Sequence, residues 1–297
     1  MLEAYENRLP GEKLSLIVSL PFLSVHVGAL FALTVYPSSF ALFMVFLMYF
    51  IRMFGITAGF HRFFSHKTFK TSRTFQFILA YLATCSAQMG PIWWASHHRH
   101  HHKYTDEIED PHTPTLKGFF WAHVGWIMSP ANSPTKEEYV GDLNRFPELK
   151  FLDKYHYLAP LSMALFLYGL GEYMAVNYTQ YNTNGMELLL WGFFVSTVIL
   201  YHATFTVNSV CHVFGYRTYD TKDGSVNNWL VAILTLGEGW HNNHHAFPNS
   251  ERQGHKWYQI DICHYILWFL SKIGIVWDIR GVPEDSVIKR RYGSDVV

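Results

Sequence analysis

The stretch His97–Asp106 reads HHRHHHKYTD, with five imidazoles in its first six positions. Neutral imidazole is a ligand for zinc, copper, iron and nickel. Two further dense groups occur: HRFFSH, with His61 and His66, and HNNHH, with His241, His244 and His245. On an α-helix, positions i, i+3 and i+4 share a face. His98, His101 and His102 fit that pattern, and so do His241, His244 and His245, about 140 residues further on. His97 and His100 fall out of register and read as outer or surface groups. His61 and His66 are five apart, roughly 140° around a regular helix. One ion is then an awkward partner for both; two neighbouring ions, or a helix ending between them, would suit. Eight imidazoles exceed the four ligands of tetrahedral zinc. They point to two ions with four or five nitrogens each. The bland alternative is a structural or storage zinc site, or histidines satisfied by ordinary hydrogen bonds.

The elements that must hold these rings read as membrane helices. Charged residues are 15% of the chain, against about 25% in ordinary soluble domains. Lys plus Arg equals Asp plus Glu, at 23 each, so no net charge calls for nucleic acid. A membrane helix needs about 20 mostly apolar residues. Segments 14–36, 39–60, 158–178 and 188–207 qualify; the titratable groups within them are His26, Arg52, Glu172 and His202. Pro21 should kink the first. Segment 75–94 is also long enough, but a crossing there would put His61 and His66 on the opposite face from His98–His102. It is therefore expected to lie on or dip into the surface. Arg62, Lys67, Lys70, Arg73, Arg99 and Lys103 fill the connection between His61 and Thr105, whereas the loops near Pro37 and Asn182 carry no Lys or Arg. Positive loops favour the cytoplasm, which puts both termini and every histidine group there. The expected architecture is all-α: one domain over 1–297, with four transmembrane helices and a cytoplasmic helical cap, 61–155 and 208–297, around a His-rich dimetal site. Cys85, Cys211 and Cys263 are widely spaced and read as reduced, packed thiols. The N-terminus lacks the pattern of a cleaved signal peptide.

The boxes H-x-x-x-x-H, H-x-x-H-H and H-x-x-H-H, in this order and topology, resemble those of membrane fatty-acid desaturases. GITAGFHRFFSH, HHRHHHKYTDEIEDPH, GFFWAHVGW, VNSVCHVFGYR and GEGWHNNHHAFP are similar to segments of the Δ9 (stearoyl-CoA type) enzymes and cover most of residues 50–250. The resemblance implies a di-iron centre held by His61, His66, His98, His101, His102, His212, His241, His244 and His245, with Asn208 holding a metal-bound water. It implies that Gln88, Trp94 and Thr204 shape a bend in an acyl tunnel, and that Tyr49 and Met53 close its far end. One departure stands out. Where animal acyl-CoA enzymes carry Arg-Asp before the second box, this chain has Ser96 and His97. A phosphate partner is thereby lost, leaving acyl-CoA and an acyl chain esterified in a lipid both open as substrates.

An unactivated CH2–CH2 has no acidic proton and no leaving group, so a redox metal with O2 must carry the chemistry. Zinc has no redox chemistry, which favours two iron ions. Two electrons from a donor protein and two from the alkyl chain would reduce O2 to two waters. The donor is a separate protein of the cytochrome b5, ferredoxin or rubredoxin type, as no haem or Fe–S segment is visible. Asp106, Glu109, Asp110 and Glu238 lie near the boxes and could orient the rings. The expected activity is O2-dependent Δ9 desaturation of a long-chain saturated acyl group, in the inner membrane of a bacterium. The alternatives are a membrane di-iron hydroxylase and, in another class, a His-rich metal-binding protein such as a transporter. The transporter would want paired titratable groups along a transmembrane path.

Overall fold

The structure, a computed structural model, describes residues 7–282. Both extreme termini, and hence the expectation about their side of the membrane, lie outside the described residues. Four helices are long and apolar enough to cross a bilayer: Leu16–Thr34, Ser39–Ser65, Leu158–Asn177 and Gly185–His212. The second and fourth run on past their expected ends, and those extensions carry His61 and His212.

Helix α1 (Leu16–Phe31) fully buries only Ser19 and Val25, with Phe22 packed partly buried beside Val25; its exposed apolar residues, among them Leu16, Ile17, Leu20 and Leu30, are left for lipid. Helix α2 (Ser39–Phe54) starts where the Ser38 hydroxyl accepts from the Ala41 N–H at 3.1 Å, an N-cap. Arg52, which interrupts its apolar run, is fully buried. The guanidinium donates to the Met48 carbonyl and to the hydroxyls of Thr197 and Ser196. It therefore ties the second crossing to the fourth.

Segment 75–94 is not one helix. Helix α3 (Arg73–Thr84) and helix α4 (Pro91–Tyr104) are separated by a turn in which Ala87 and Met89 have positive φ, 57° and 66°. At 1.5 Å per residue, neither reaches the roughly 30 Å of a hydrocarbon core. A Cβ on Gly90 would come within 2.4 Å of Asp153 Cα. That close approach lets the Asp153 carboxylate accept from the backbone N–H groups of Ile92 (2.9 Å) and Trp93 (2.8 Å), satisfying the first turn of α4.

The third crossing is α5 (Leu158–Asn177), and the fourth ends in α6 (Ser196–Ser209). Beyond it come α7 (Trp229–Leu234), α8 (His241–Ala246) and α9 (Ile262–Lys272). Trp229, Leu230, Ile233 and Leu234 are exposed, as are Tyr265, Trp268, Phe269 and Ile273. The Tyr49 hydroxyl, midway along α2, donates to the Leu234 carbonyl. The end of α7 is thereby held against the second crossing.

The positive loop charges also need correction. Arg62 is buried and ion-paired with Glu238 (3.3 Å), Glu251 (3.0 Å) and Asp261 (2.9 Å). Arg99 is half-buried and pairs with Asp142 at 2.7 Å. Both are internal cross-braces, and Lys67, Lys70, Arg73 and Lys103 are left to set any loop-charge bias.

Candidate metal centre

Each histidine box is shaped by its backbone. Gly55–Ser65 is a π-helix, and the His66 N–H bonds the His61 carbonyl at 3.2 Å. This i→i+5 bond stacks residues five apart. The objection raised by a regular helix thus disappears: His61 and His66 face the same point, with ring centroids 4.8 Å apart. Helix α4 presents His98, His101 and His102; His212 ends a short 3-10 turn after α6; α8 carries the last three.

These nine rings meet as two groups, His61–His66–His98–His102–His244 and His101–His212–His241–His245. Within each group one nitrogen from every ring lies within 4.8 Å of all the others. The Nε2–Nε2 separations are 2.8 Å for His66–His98, 2.9 Å for His102–His244, 3.1 Å for His61–His244 and 3.0 Å for His212–His241. Metal–nitrogen bonds of about 2.1 Å meeting at right angles put neighbouring nitrogens about 3.0 Å apart, so the spacing matches a coordination sphere.

Protonation gives a second test of fit. Four of the rings turn Nδ1 outward to a carboxylate: His101 to Asp110 (3.0 Å), His212 to Asp106 (3.1 Å), His245 to Asp223 (3.2 Å), and His61 to Glu238. Their protons belong on Nδ1, and their Nε2 lone pairs point inward. Those of His212 and His61 then oppose other imidazole nitrogens, and the buried Nε2 of His245 has no hydrogen-bond partner. A cation within each group would take up these inward lone pairs. Burial reinforces the neutral form. It holds His66, His98, His102, His241 and His244 well below the usual imidazole range, the neighbouring rings adding to the effect, and pushes His245 down to about 4. Six of the nine rings are thus held as neutral imidazole, whereas His101 is raised, the Asp110 carboxylate outweighing its burial; imidazole nitrogen suits a first-row transition metal.

Of the carboxylates singled out in the sequence, Asp106, Asp110 and Glu238 hold rings. Glu109 contributes its backbone carbonyl to His100 instead (2.9 Å). Asp223 went unnoticed because it sits in a loop 18 residues before the third box. His112, which stacks on His101 with centroids 4.3 Å apart, was also missed, although it lies only ten residues past the second box. His97 and His100 stay outside both groups, as their register required, but neither is a surface group. Both are buried, and His97 bonds the Pro134 carbonyl at 3.1 Å.

Three cavities that share Trp94 in their walls lie beside the rings. The outer one, about 170 Å³, runs from Val18, Pro21 and Phe22 of α1 to Gln88, Trp93 and Trp94. Two inner ones of about 40 Å³ each border His98, Thr204 and Asn208; the deeper also touches His61, His101, His241, Glu238 and Ile56. Trp94 lines all three and stacks on His98, with centroids 5.0 Å apart. Gln88 Nε2 donates to Thr204 Oγ1 at 3.3 Å beside it. Trp94 therefore sits where the three cavities adjoin. Tyr49 and Met53 line none of these cavities; Met53 is buried in the main core.

Fold and site define a class: a multi-pass membrane protein built around a polyhistidine centre that an apolar channel reaches. The fatty acid desaturase family model matches residues 37–279, and the chain belongs to that family. It is 39% identical over 265 residues to the sn-1 stearoyl-lipid 9-desaturase of Anabaena variabilis, covering 87% of this chain and 91% of that one. It is 39% identical to the Delta-9 acyl-lipid desaturase 2 of Arabidopsis thaliana (90% and 83% covered), and 38% identical to the Acyl-CoA C20 Delta5-desaturase of Anemone leveillei (88% and 80%). This chain is accordingly a fatty-acyl desaturase, an oxidoreductase acting on lipid.

Proposed function

We propose that this chain, as one domain, inserts a cis Δ9 double bond into a saturated acyl chain esterified in a membrane lipid. The observation that carries the reading is the meeting of nine imidazoles, in groups of five and four, beside a channel that turns at Trp94. His61, His66, His98, His102 and His244 would hold one iron ion, and His101, His212, His241 and His245 the other. Asn208, facing the same inner cavities, would hold a metal-bound water. When bound, the irons supply the O2-dependent oxidation of an unactivated CH2–CH2 pair.

The rest falls to the chain's own residues. Gln88, Trp94 and Thr204 fix where the acyl chain bends and so which carbons approach the centre; successive CH2 groups are chemically alike, so position must come from shape. Ile56 borders the deepest cavity, and Met53 lies one turn further along the same helix, with Tyr49 a turn beyond. A longer acyl tail would meet Met53 first. Asp106, Asp110, Asp223 and Glu238 hold the rings in one tautomer.

The preference for an esterified chain over acyl-CoA rests on the channel mouth. Ser96 is buried, its hydroxyl donating to the Trp93 carbonyl and accepting from the Lys136 N–H, and His97 is engaged with Pro134. Among the described residues, the outer cavity is lined by neither Lys nor Arg, the groups that a polyphosphate headgroup requires. Electrons would come from a separate carrier of the cytochrome b5, ferredoxin or rubredoxin type. The centre would face the cytoplasm of a bacterial inner membrane. Expression in a desaturase-deficient host, with double-bond position determined, tests the proposal. A Δ9 product absent from the His98→Ala, His101→Ala chain supports it. A product heavier by one oxygen would instead indicate hydroxylation, and no product at all would refute both.

A further inference from the structure

Three histidines outside the metal centre form a chain of their own. His26 on α1 donates from Nδ1 to the Phe22 carbonyl (2.8 Å), and its Nε2 meets His202 Nε2 on α6 at 3.1 Å. His202 Nδ1 meets His123 Nε2 at 3.0 Å, and His123 Nδ1 meets the Ser209 hydroxyl at 3.0 Å. A neutral imidazole has one donor and one acceptor. With a single proton per ring, pointed from His123 toward Phe22, each ring-to-ring contact has one donor and one acceptor; Ser209, whose hydroxyl also bonds the Phe205 carbonyl at 3.0 Å, ends the chain. No carboxylate takes part, and none of the three belongs to either metal-binding group.

The location of this chain suggests its use. Along Leu16–Phe31, among the described residues, His26 to His202 is the sole side-chain hydrogen bond that α1 makes to another element. On its cytoplasmic side the two helices bound the outer acyl cavity, through Pro21 and Phe22 on one wall and Tyr201 and Phe205 on the other. On its other side α1 and the part of the fourth crossing that precedes α6 (Leu188–Val195) bound an open apolar groove of about 510 Å³, through Val27 and Phe31 against Leu190 and Phe194. The histidine contact is thus a polar pinch between two apolar spaces walled by α1 and the fourth crossing. Beyond it α1 is anchored, since Gly28 lies against the Phe194 ring and Trp191 Nε1 donates to the Val35 carbonyl at 3.0 Å. Toward the cytoplasm Pro21 removes a helical N–H and weakens α1 locally. Separating α1 from α6 there breaks one hydrogen bond and otherwise trades apolar contacts, which a hydrocarbon tail can replace.

We propose that the acyl chain enters sideways from the bilayer, through the seam between α1 and α6, and that the His26–His202 hydrogen bond is the latch of that seam. The inference rests on the desaturase reading and deepens it, since only a chain still esterified in a bilayer lipid needs such a door. The His202 end of the latch is set by His123, whose Nε2 fixes the orientation of the shared ring.

The test is a reversible tether. In a His26→Cys, His202→Cys chain, a short bifunctional thiol reagent joins the two positions; the native cysteines, Cys85, Cys211 and Cys263, are all buried. The probe is a phosphatidylcholine vesicle whose sn-1 stearoyl group carries a mid-chain diazirine, and labelling of the cavity wall at Trp94 and Trp126 is mapped. A stearoyl-CoA bearing the same diazirine is the comparison. The tether is expected to lower lipid-probe labelling at least tenfold, with recovery on reduction, while labelling by the CoA probe is unchanged. Unchanged lipid-probe labelling overturns the seam, and so does equal loss of both probes. If the double-cysteine chain does not assemble, His26→Leu serves: the lipid probe should label severalfold faster, and an unaltered rate overturns the latch. Labelling that obeys the tether in a chain that makes no unsaturated product would refute the desaturase reading and leave the seam standing.

Discussion

Replacing Asp223 with alanine should weaken one metal ion and spare the other. Asp223 accepts from His245 Nδ1 at 3.2 Å, and His245 belongs to the group of four imidazoles. The carboxylate is well below its usual pKa; burial opposes that shift, and the hydrogen bond and charge of His245 outweigh it. It is therefore an ionised acceptor that fixes the ring's tautomer. Removing it leaves a buried N–H without a partner and frees the ring to rotate. Losses of this kind lower metal affinity about 10–100-fold, roughly 1.4–2.7 kcal/mol. No ring in the group of five touches Asp223, so that ion should be unaffected. The assay is anaerobic chelator competition on the iron-loaded protein, following each equivalent released. Wild type should release two equivalents at comparable chelator concentration, whereas the variant should release one of them at a 10–100-fold lower concentration. Equal weakening of both, or of neither, would refute the division of the histidines into two separately held groups.

Four other outcomes follow from the same geometry. Glu238→Ala should weaken the other equivalent, since Glu238 holds His61; metal competition distinguishes the two variants. Arg62→Met strands Glu238, Glu251 and Asp261 in the interior, and loss of one partner from such a buried cluster costs about 3–5 kcal/mol; detergent-solubilised protein should show a clearly lower unfolding midpoint, and an unchanged one would contradict the assigned role. Burial pushes His245 down to about 4, so between pH 6.5 and 4 the unfolded chain takes up a proton that the folded chain refuses. Stability of metal-free protein should therefore be full above about pH 6.5 and fall toward pH 4, by about 3 kcal/mol from this ring alone; a midpoint constant from pH 7 to 5 would contradict it. Met53→Ala should shift the C16-to-C18 product ratio toward longer chains while costing about 2–5 kcal/mol of stability; an unchanged ratio removes Met53 from the tunnel's end.

Much of this site is legible in the residues because its chemistry repeats. Two H-x-x-H-H faces and four apolar runs locate eight of the rings, counting the HRFFSH pair with the second span and leaving the isolated His212 to resemblance. Backbone geometry is harder to read. Nothing in GITAGFHRFFS announces a π turn, yet that turn decides whether His61 and His66 serve one ion or two. The break in segment 75–94 is carried by Ala87 and Met89 at positive φ, residue types that give no turn signal. Asp223 and the His26–His202–His123 chain join positions far apart in sequence, and only packing reveals such pairs. Charge counting misreads Arg62 for a related reason: the three carboxylates that bury it come from residues 238, 251 and 261.

The central claim is that nine imidazoles from four separate segments hold two redox-active ions. Iron quantification with X-ray absorption on active, purified protein tests it most directly. Two irons per chain, with a first shell of four to five nitrogen scatterers at about 2.1 Å and multiple-scattering features of imidazole, is the expected result. A single ion, a shell dominated by sulfur or oxygen, or full activity after iron is stripped would contradict it.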